Sequence, residues 1–291
     1  MKDTISTRPA KGLTLVLGGT GKTGRRVAER LASRGVPTRV ASRAADPSFD
    51  WGDRSTWDAT LDGVTAAYVS YAPDVAIPGA TDAVRAFVDR AVERGVQRLV
   101  LLSGRGEEEA QLCERIVQDA GIEWTVVRAS WFNQNFSEGE FLDMVLAGAI
   151  TLPVGDVPEP FVDADDIADV AAAALTEEGH AGQIYEVTGP RMLTFTEAAA
   201  EISRASGHEV KFIQIPPEAF AAGIAESGAP DDIAWLLDYL FSTVLDGRNA
   251  YVCDGVQRAL GREPTDFAEY ARRVADSGAW NLSSSHQTEV A

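Results

Sequence analysis

Four glycines and two threonines surround Lys22 in the segment GGTGKTG, residues 18–24. The segment holds both the G-K-T ending of an ATP- and GTP-binding P-loop and the G-x-G-x-x-G spacing of a dinucleotide-binding turn. A P-loop also needs a glycine five residues before the glycine of G-K-T, because successive backbone N–H groups must wrap one phosphate. That position is Val16, within an apolar run. The spacing therefore favours a dinucleotide turn.

A dinucleotide turn gives each glycine a separate role. Gly18 or Gly19 ends the first strand. Gly21 allows the closest approach of the pyrophosphate, and Gly24 lets the helix pack against the strand. The N-terminus of that helix then faces the pyrophosphate, whose negative charge its N–H groups stabilise. A glycine turn with a purely structural role is the alternative.

The residues that would contact the 2′ position of the cofactor lie about 20 positions further on, at the end of the second strand. An NAD-dependent protein carries an acidic residue there, whereas this chain has Ser42 and Arg43. A guanidinium beside a hydroxyl suits a 2′-phosphate, and Lys22 adds a second positive charge. We therefore predict NADP(H) in preference to NAD(H). The alternative is that Arg43 only solvates the end of the strand.

Ser103 ends the strand-like segment LVLLSG, where a short-chain dehydrogenase carries the serine that holds a substrate oxygen. Such enzymes pair that serine with Y-x-x-x-K, because the lysine lowers the pKa of the tyrosine that delivers a proton. Lysine occurs here at positions 2, 11, 22 and 211, never four residues after a tyrosine. The helix after Ser103 offers Glu114 instead. Carbonyl reduction by the tyrosine route is not expected, and Ser103 is also compatible with capping its own loop.

Strand-like and helix-like segments alternate through the first half of the chain. The strand-like segments are LTLVLG, PTRVASR, AAYVSYA, QRLVLLSG and EWTVVRAS, and between them lie helix-like segments such as KTGRRVAERLASRG, TDAVRAFVDRAVERG and EEEAQLCERIVQDAG. Strands that are apolar almost throughout are expected where helices cover both faces of a sheet. Repeated β-α units of this length predict an α/β fold with a doubly wound parallel sheet.

The pattern changes after residue 136, where segments broken by Pro and Gly begin. Residues from about 190 to 275 favour a smaller, mostly helical lobe. We predict an N-terminal tail over 1–11, a dinucleotide-binding domain over 12–190 with 137–160 contributing to the cleft, a C-terminal substrate lobe over 191–282 and a disordered tail over 283–291. Because open α/β sheets bind ligands at the carboxyl ends of their strands, the lobe is expected to close the cleft there.

Composition and charge argue against several classes of function. The chain has 291 residues, of which 45% are hydrophobic, and a formal net charge of −18. This charge repels a phosphate backbone, so we expect no nucleic-acid partner. Cys113 and Cys253 lie too far apart in sequence to suggest a zinc site or a disulfide framework. No uncharged run approaches the ~18 residues of a membrane span. The sequence predicts a cytoplasmic protein with no membrane partner.

Two acidic clusters are expected to begin helices rather than to do chemistry. Glu107, Glu108 and Glu109 precede a helical segment, where the helix dipole favours negative charge, and an acid/base role is the alternative. The acids of FVDADDI, residues 161–167, favour capping of the next helix over a metal site. The three histidines have no ligand spacing. No metal site is predicted.

The motifs together resemble the NmrA-like group of atypical short-chain dehydrogenase/reductases. The resemblance rests on LVLGGTGKTGRRVA, VASR, FDW, RLVLLSG and EWTVVRASWFNQNF, and it covers residues 12 to 190. GKT, ASR, FDW and WTVVRASWFNQNF are most similar to the branch of ergot-alkaloid reductases, the festuclavine and agroclavine dehydrogenases. Ala129 stands where that branch tends to have proline. The resemblance implies a Rossmann fold that binds NADP(H).

The resemblance also implies the roles of individual residues. The cofactor site would comprise Gly18, Thr20, Gly21, Lys22, Thr23, Gly24, Ser42, Arg43, Asp50, Trp51, Tyr71, Ser103, Ser130 and Trp131. Asp50 and Trp51 would lie beside the adenine, whereas Tyr71, Ser103, Ser130 and Trp131 would approach the nicotinamide, with Ser103 and Tyr71 as catalytic candidates. Phe132, Asn133 and Asn135 would line the substrate pocket. Trp131 and Phe132 are equally compatible with core aromatic residues.

These features predict an NADPH-dependent reductase that works without a Tyr-x-x-x-Lys pair. An iminium or another polarised electrophile accepts hydride without a strong acid beside it, so positioning supplies most of the acceleration. The expected substrate is a small aromatic or heterocyclic metabolite with an activated C=N or C=C bond, a quinone or a carbonyl. The alternative is a non-catalytic NADP(H) sensor that acts through a protein partner. The oligomeric state is left unassigned.

Overall fold

A parallel sheet surrounded by helices organises much of the chain. The computed structural model describes residues 12–139 and 141–282. Eight strands form among the described residues: β1 (Leu13–Val16), β2 (Thr38–Val40), β3 (Val64–Val69), β4 (Arg98–Gly104), β5 (Glu123–Ala129), β6 (Ala149–Leu152), β7 (Gln183–Val187) and β8 (Lys211–Gln214).

The helices of the same residues alternate with these strands. They are α1 (Lys22–Ser33), α2 (Trp57–Leu61), α3 (Ala80–Glu93), α4 (Glu108–Gln118), α5 (Asn135–Glu138), α6 (Leu142–Leu146), α7 (Ala164–Thr176), α8 (Phe195–Ser206), α9 (Pro217–Ser227), α10 (Asp231–Tyr239), α11 (Gly255–Leu260) and α12 (Phe267–Ser277). A 3-10 turn covers Arg54–Thr56 and a π-helical turn covers Leu240–Val244. None of these helices is long and apolar enough to cross a bilayer.

The described chain forms two units, and each is built from separated segments. The first contains residues 12–130, 164–188 and 253–263, and the second contains 131–163, 189–252 and 264–282. The sequence prediction instead drew one boundary near residue 190. It therefore placed 131–163 with the first domain and 253–263 with the second. Chain order alone does not show that a later segment of the chain packs with an earlier unit. The predicted tails at 1–11 and 283–291 lie outside the described residues.

The sheet of the first unit has the order β2-β1-β3-β4-β5-β7, and every neighbouring pair is parallel. The chain passes from β1 to β2 on one side and then crosses to β3 on the other side of β1. Such a switch point opens a crevice at the carboxyl ends of the strands, where ligands of this fold class bind. The predicted doubly wound parallel sheet is confirmed.

Helices cover both faces of this sheet. Val84 and Phe87 of α3 and Cys113 of α4 are fully buried in one apolar cluster with side chains of β1, β3 and β4. α1 packs on α7, which also contacts β3, β4 and β5. The strands are thus buried on both sides, and this explains their nearly continuous apolar sequences.

The second unit is mostly helical, as predicted, and also contains a two-stranded parallel sheet of β6 and β8. Its core is rich in aromatic side chains, including Phe136, Phe161, Phe195 and Trp280, all nearly or fully buried. The helix predicted at FTEAAAEISRASG is α8, which begins with a capping box between Thr194 and Glu197.

Candidate cofactor site

The glycine turn between β1 and α1 is closed by backbone contacts. Gly18 has a φ of +63°, and its carbonyl accepts the N–H of Gly21 at 2.8 Å. A Cβ on Gly24 would lie 2.2 Å from the carbonyl oxygen of Gly18 and 2.9 Å from the Cα of Gly19. A Cβ on Gly19 would lie 2.3 Å from Val40 Cγ1 at the end of β2. The turn is therefore too tight for side chains at these positions.

The first turn of α1 follows directly after this bend. Gly21 is its N-cap, with φ −82° and ψ 177°, and no side chain caps the helix. The first turn contains no acidic residue. Thr20 is exposed, Lys22 is half-buried and Thr23 is buried. N–H groups at a helix N-terminus without a side-chain cap are suited to a phosphate group, so these residues fit a dinucleotide pyrophosphate.

Ser42 and Arg43 follow β2 beside the glycine turn, since the N–H of Gly19 contacts the carbonyl of Ala41 at 3.3 Å. The carbonyl of Ser42 accepts the N–H of Phe49 at 2.9 Å and so fixes the loop. Arg43 is exposed and makes no hydrogen bond or ion pair with the described residues. Arg39, by contrast, donates to the carbonyls of three residues, Ala59, Thr60 and Asp62. The Arg43 guanidinium therefore remains available for an anion.

Asp50 and Trp51 form an ordered loop, but Trp51 also contacts Tyr71. The Asp50 carboxylate accepts the N–H of Gly52 at 2.8 Å, and its carbonyl accepts Trp57 Nε1 at 2.8 Å. The ring centroids of Trp51 and Tyr71 are 4.8 Å apart. The resemblance placed these rings at the adenine and at the nicotinamide, which occupy opposite ends of an extended dinucleotide. The contact between the two rings favours a shared role at one end of the dinucleotide, and the separate assignments stay predictions.

A row of polar side chains crosses the sheet near its carboxyl edge. Ser103, Arg128 and Glu186 are register partners on β4, β5 and β7. The Ser103 hydroxyl donates to Glu114 Oε1 at 2.6 Å, and Arg128 donates to both oxygens of Glu114 at 2.8 and 2.5 Å. A third Arg128 nitrogen donates to Glu186 at 2.6 Å. Ser103 thus donates its proton to a side chain of α4, and the Ser103 hydroxyl oxygen keeps lone pairs that can accept a hydrogen bond from a ligand.

This row continues through residues that sequence reasoning missed. Arg105 is 3% exposed, donates to Ser130 Oγ at 2.8 Å and approaches Glu186 Oε2 at 3.5 Å. The Cys253 thiol donates to Glu186 Oε2 at 3.2 Å. Burial raises the pKa of Glu186, but hydrogen bonds from Cys253 and Arg128 outweigh it and hold that pKa below its ordinary value. Only the position of Arg105, two residues after Ser103, could have drawn attention to it.

The acidic run at 107–109 starts α4 as predicted, but Glu107 differs from the other two residues. Glu108 and Glu109 lie in the first turn, whereas Glu107 is the N-cap, is 7% exposed and makes no side-chain cap hydrogen bond. Burial, followed by repulsion from Asp74, raises the pKa of Glu107 well above its ordinary value. An acidic run gives no sign of burial, so Glu107 was predicted, like Glu108 and Glu109, only as part of a helix start.

The predicted pocket residues Phe132, Asn133 and Asn135 lie in the second unit. Asn133 is fully buried, and neither polar atom of its amide has a hydrogen-bond partner among the described residues. Phe132 and Asn135 are half-buried, and Asn135 begins α5. Neighbouring Gln134 donates to Asp163 at 2.8 Å. The unpaired Asn133 amide is the feature of this segment that fits an absent polar ligand.

Trp131, predicted at the nicotinamide, packs into the aromatic core of the second unit. Its ring centroid lies 5.4 Å from that of Phe241 and 6.2 Å from those of Phe141 and Phe195. These contacts correspond to the core-aromatic alternative for Trp131.

The acids around the start of α7 pair with arginines. The contacts are 2.5 Å for Asp163 with Arg273, 2.6 Å for Asp165 with Arg30 and 2.7 Å for Asp166 with Arg262. Across residues 12–139 and 141–282, no group of His, Cys, Asp and Glu side chains could hold a metal ion. Ion pairing thus accounts for this acidic cluster.

Known proteins are similar to this chain both in sequence and in fold. An agroclavine dehydrogenase of Claviceps fusiformis is 31% identical over 274 residues, 88% of this chain and 95% of that protein. An NAD(P)H azoreductase of Xenophilus azovorans is 29% identical and covers 89% of this chain and 98% of its own. A crystal structure of an NADPH-dependent quinone oxidoreductase of Escherichia coli, complexed with NADPH, matches with a TM-score of 0.75 at 23% identity, over 90% of this chain and 99% of that one. Residues 48–271 match the model of the NmrA-like family, and the chain belongs to that family.

Proposed function

We propose that this NmrA-like oxidoreductase binds NADPH and reduces a small, activated acceptor with a C=N or C=C bond, a quinone or a carbonyl. The observation that carries the proposal is the glycine turn at Gly18–Gly24, which is too tight for a side chain at Gly24 and leads into the first turn of α1, a helix with no side-chain cap hydrogen bond. With the diphosphate held at this turn, the nicotinamide of NADPH would supply hydride. Thr20, Lys22 and Thr23 would hold the pyrophosphate.

The preference for NADPH over NADH rests on Arg43. Its guanidinium is exposed and unpaired among the described residues, beside Ser42 and the end of β2. A 2′-phosphate would form charge-assisted hydrogen bonds there, whereas a ribose hydroxyl would gain little. No acidic residue stands at this position to bind the ribose diol of NADH. Trp51 and Tyr71 would together contact the adenosine end.

The class of acceptor follows from what the chain lacks and from its relatives. No lysine stands four residues after a tyrosine, so a lysine-activated phenol is not the proton donor. The Ser103 proton is committed to Glu114, which leaves Ser103 as a hydrogen-bond acceptor. The names of the relatives refer to agroclavine, to azo compounds and to quinones. An acceptor that is already polarised, positioned by the protein, is consistent with all three observations.

The buried amide of Asn133 supports its assignment to substrate binding. Leaving a buried amide unpaired costs about 1–3 kcal/mol, so a ligand that pairs with both its donor and its acceptor would recover that energy. Asn133 would then orient the acceptor.

The proposal is tested by mixing the purified protein with NADPH and an iminium salt, an enone, an azo dye or a naphthoquinone. Oxidation of NADPH would be followed by absorbance, and cofactor affinity by calorimetry. We expect turnover with at least one acceptor and tighter binding of NADPH than of NADH. Tight binding of both redox forms without turnover would replace the reductase by a non-catalytic NADP(H) sensor. Absence of cofactor binding would refute both.

A further inference from the structure

The loops after β3 and β4 bring several carboxyl groups together at the ligand-binding edge of the sheet. β3 and β4 are paired neighbours, Asp74 follows β3, and Glu107 follows β4. Glu109 and Glu114 stand on α4, which Glu107 precedes. These are the charged groups that act on the Glu107 carboxyl, and all three are acidic.

The Glu107 carboxyl lies against the end of β4. A Cβ on Gly104 would fall 2.1 to 2.2 Å from the carboxyl carbon and both oxygens of Glu107. Glycine at position 104 is therefore what allows this carboxyl to reach the end of the strand. Ser103, the residue before it, lies in the polar row that crosses the sheet. Glu107 thus lies at the edge of the sheet where proteins of this fold class bind a nicotinamide nucleotide and its reaction partner.

The Glu107 carboxyl has an oxygen with no hydrogen-bond partner. Oε2 is buried and has no hydrogen-bond partner among the described residues, and Glu107 as a whole is only 7% exposed. A buried carboxylate in this state would lose its hydration without replacement, which is far more costly than burying the neutral acid. A protonated carboxyl carries no charge to desolvate, and its O–H group can donate a hydrogen bond or a proton. The geometry therefore favours the neutral acid.

Asp74 differs from Glu107 in its local contacts. One Asp74 oxygen accepts the N–H of Ala76 at 2.8 Å. Burial raises the pKa of Asp74, and this hydrogen bond opposes the rise. Repulsion between Asp74 and Glu107 favours a state in which only one of them is charged, and the charge then resides on the carboxyl with better hydrogen bonds. Asp74 consequently takes the charge, and Glu107 keeps the proton.

We infer that Glu107 holds the proton that accompanies hydride when the protein reduces a neutral acceptor, and that Asp74 keeps Glu107 protonated. The inference rests on the proposed reductase function. A quinone gains a hydride from reduced nicotinamide and a proton from the Glu107 carboxyl, giving the hydroquinone, oxidised nicotinamide and the Glu107 carboxylate. Solvent then returns the proton to Glu107. A cationic triarylmethane dye gains only the hydride and becomes a neutral leuco dye, so it needs no proton.

This difference between acceptors provides the experiment. Glu107→Gln keeps the shape of the side chain but removes its proton, and Glu108→Gln is the matched control at the adjacent exposed residue. We expect Glu107→Gln to lower kcat for a naphthoquinone by about 100-fold or more, the lower range for general acid catalysis, and kcat for the dye by less than about 2-fold. Equal losses for both acceptors, or no loss for either, would overturn the inference.

Asp74→Asn tests how Glu107 is kept protonated. Removing the Asp74 charge should lower the pKa of Glu107, so the decline of quinone reduction at alkaline pH should begin at a lower pH than in the wild type. Reduction of the cationic dye should show no such shift. An unchanged pH profile would exclude Asp74 from this role.

A readout without turnover separates this inference from the proposed function. Infrared spectra of the wild type at about pH 7, the range in which an ordinary Glu is ionised, should contain the carbonyl band of a protonated carboxylic acid. The band should be absent from Glu107→Gln and present in Glu108→Gln. Its absence from the wild type would overturn the inference whatever the activity. If the band is present but no acceptor is reduced, the proposed function fails instead.

Discussion

Alanine substitutions in the glycine turn test the cofactor cradle in depth. The Cβ of Gly24→Ala would lie 2.2 Å from the Gly18 carbonyl oxygen, so backbone atoms must separate by about 1 Å to reach the closest contacts that real Cβ atoms tolerate. Overpacking of this kind costs about 1–3 kcal/mol, which corresponds to a fall in Tm of roughly 2–4 °C per kcal/mol. Because the displaced atoms form the cradle, we also expect the Kd for NADPH to rise by about 100-fold, equivalent to about 2.7 kcal/mol.

Gly21→Ala separates binding from folding. Its Cβ would meet the Gly18 carbonyl oxygen at 3.2 Å, and its φ of −82° suits alanine. We expect the Tm of the cofactor-free protein to change little, but the Kd for NADPH to rise by about 10-fold or more, because the methyl group occupies the approach of the diphosphate.

Gly223→Ala, inside α9 with no atom within 4 Å of the new Cβ, is the matched control. It should stabilise the helix by about 0.5–1 kcal/mol without altering NADPH binding. Calorimetry and thermal unfolding of the three variants decide the matter. Wild-type NADPH affinity in Gly21→Ala would refute the placement of the diphosphate, and wild-type stability in Gly24→Ala would refute the tight packing of the turn.

Three further outcomes follow from single side chains. Arg43→Asp should raise the Kd for NADPH more than ~10-fold and change the Kd for NADH less. The control Lys211→Asp, a charge change at an exposed residue of the second unit, should change neither Kd. If calorimetry gave an unaltered ratio of the Kd values for NADPH and NADH in Arg43→Asp, the 2′-phosphate assignment would be contradicted. Asn133→Leu should raise the free energy of unfolding by about 1–3 kcal/mol in urea titrations and raise KM for the acceptor, and a loss of stability would show that the amide is paired. Burial lowers the pKa of His180, so its contribution to stability is complete above the unfolded pKa of about 6.5 and is lost as pH falls below it. Unfolding of His180→Asn should accordingly depend less on pH between about 7.5 and 5 than unfolding of the wild type.

Local sequence was sufficient for the features that depend on neighbouring residues. The glycine spacing over 18–24 predicted the turn between β1 and α1, because steric limits at each glycine arise from atoms within a few positions or at the adjoining strand end. Apolar runs and helical periodicity likewise predicted the strands and helices of the doubly wound sheet. Ser42 and Arg43 were placed by their distance from that turn, which the β-α-β unit holds nearly constant.

Contacts between distant segments could not be read from the chain. Ser103, Arg128 and Glu186 meet because β4, β5 and β7 are neighbours in register, and the omission of β6 from this sheet is invisible in sequence order. The contact between Trp51 and Tyr71 likewise depends on how two loops pack. Sequence predicted Glu107 only as part of a helix start, because a run of acidic residues does not reveal which of them is buried.

The amino-acid sequence by itself determined the doubly wound sheet, the glycine turn and the basic residue expected at the 2′ position, since these depend on short-range sterics and on spacing along one β-α-β unit. Tertiary structure alone decided which polar side chains share a hydrogen bond and which carboxyl is removed from water. Both depend on the order of strands in space, and that order brings together residues that are far apart in the chain.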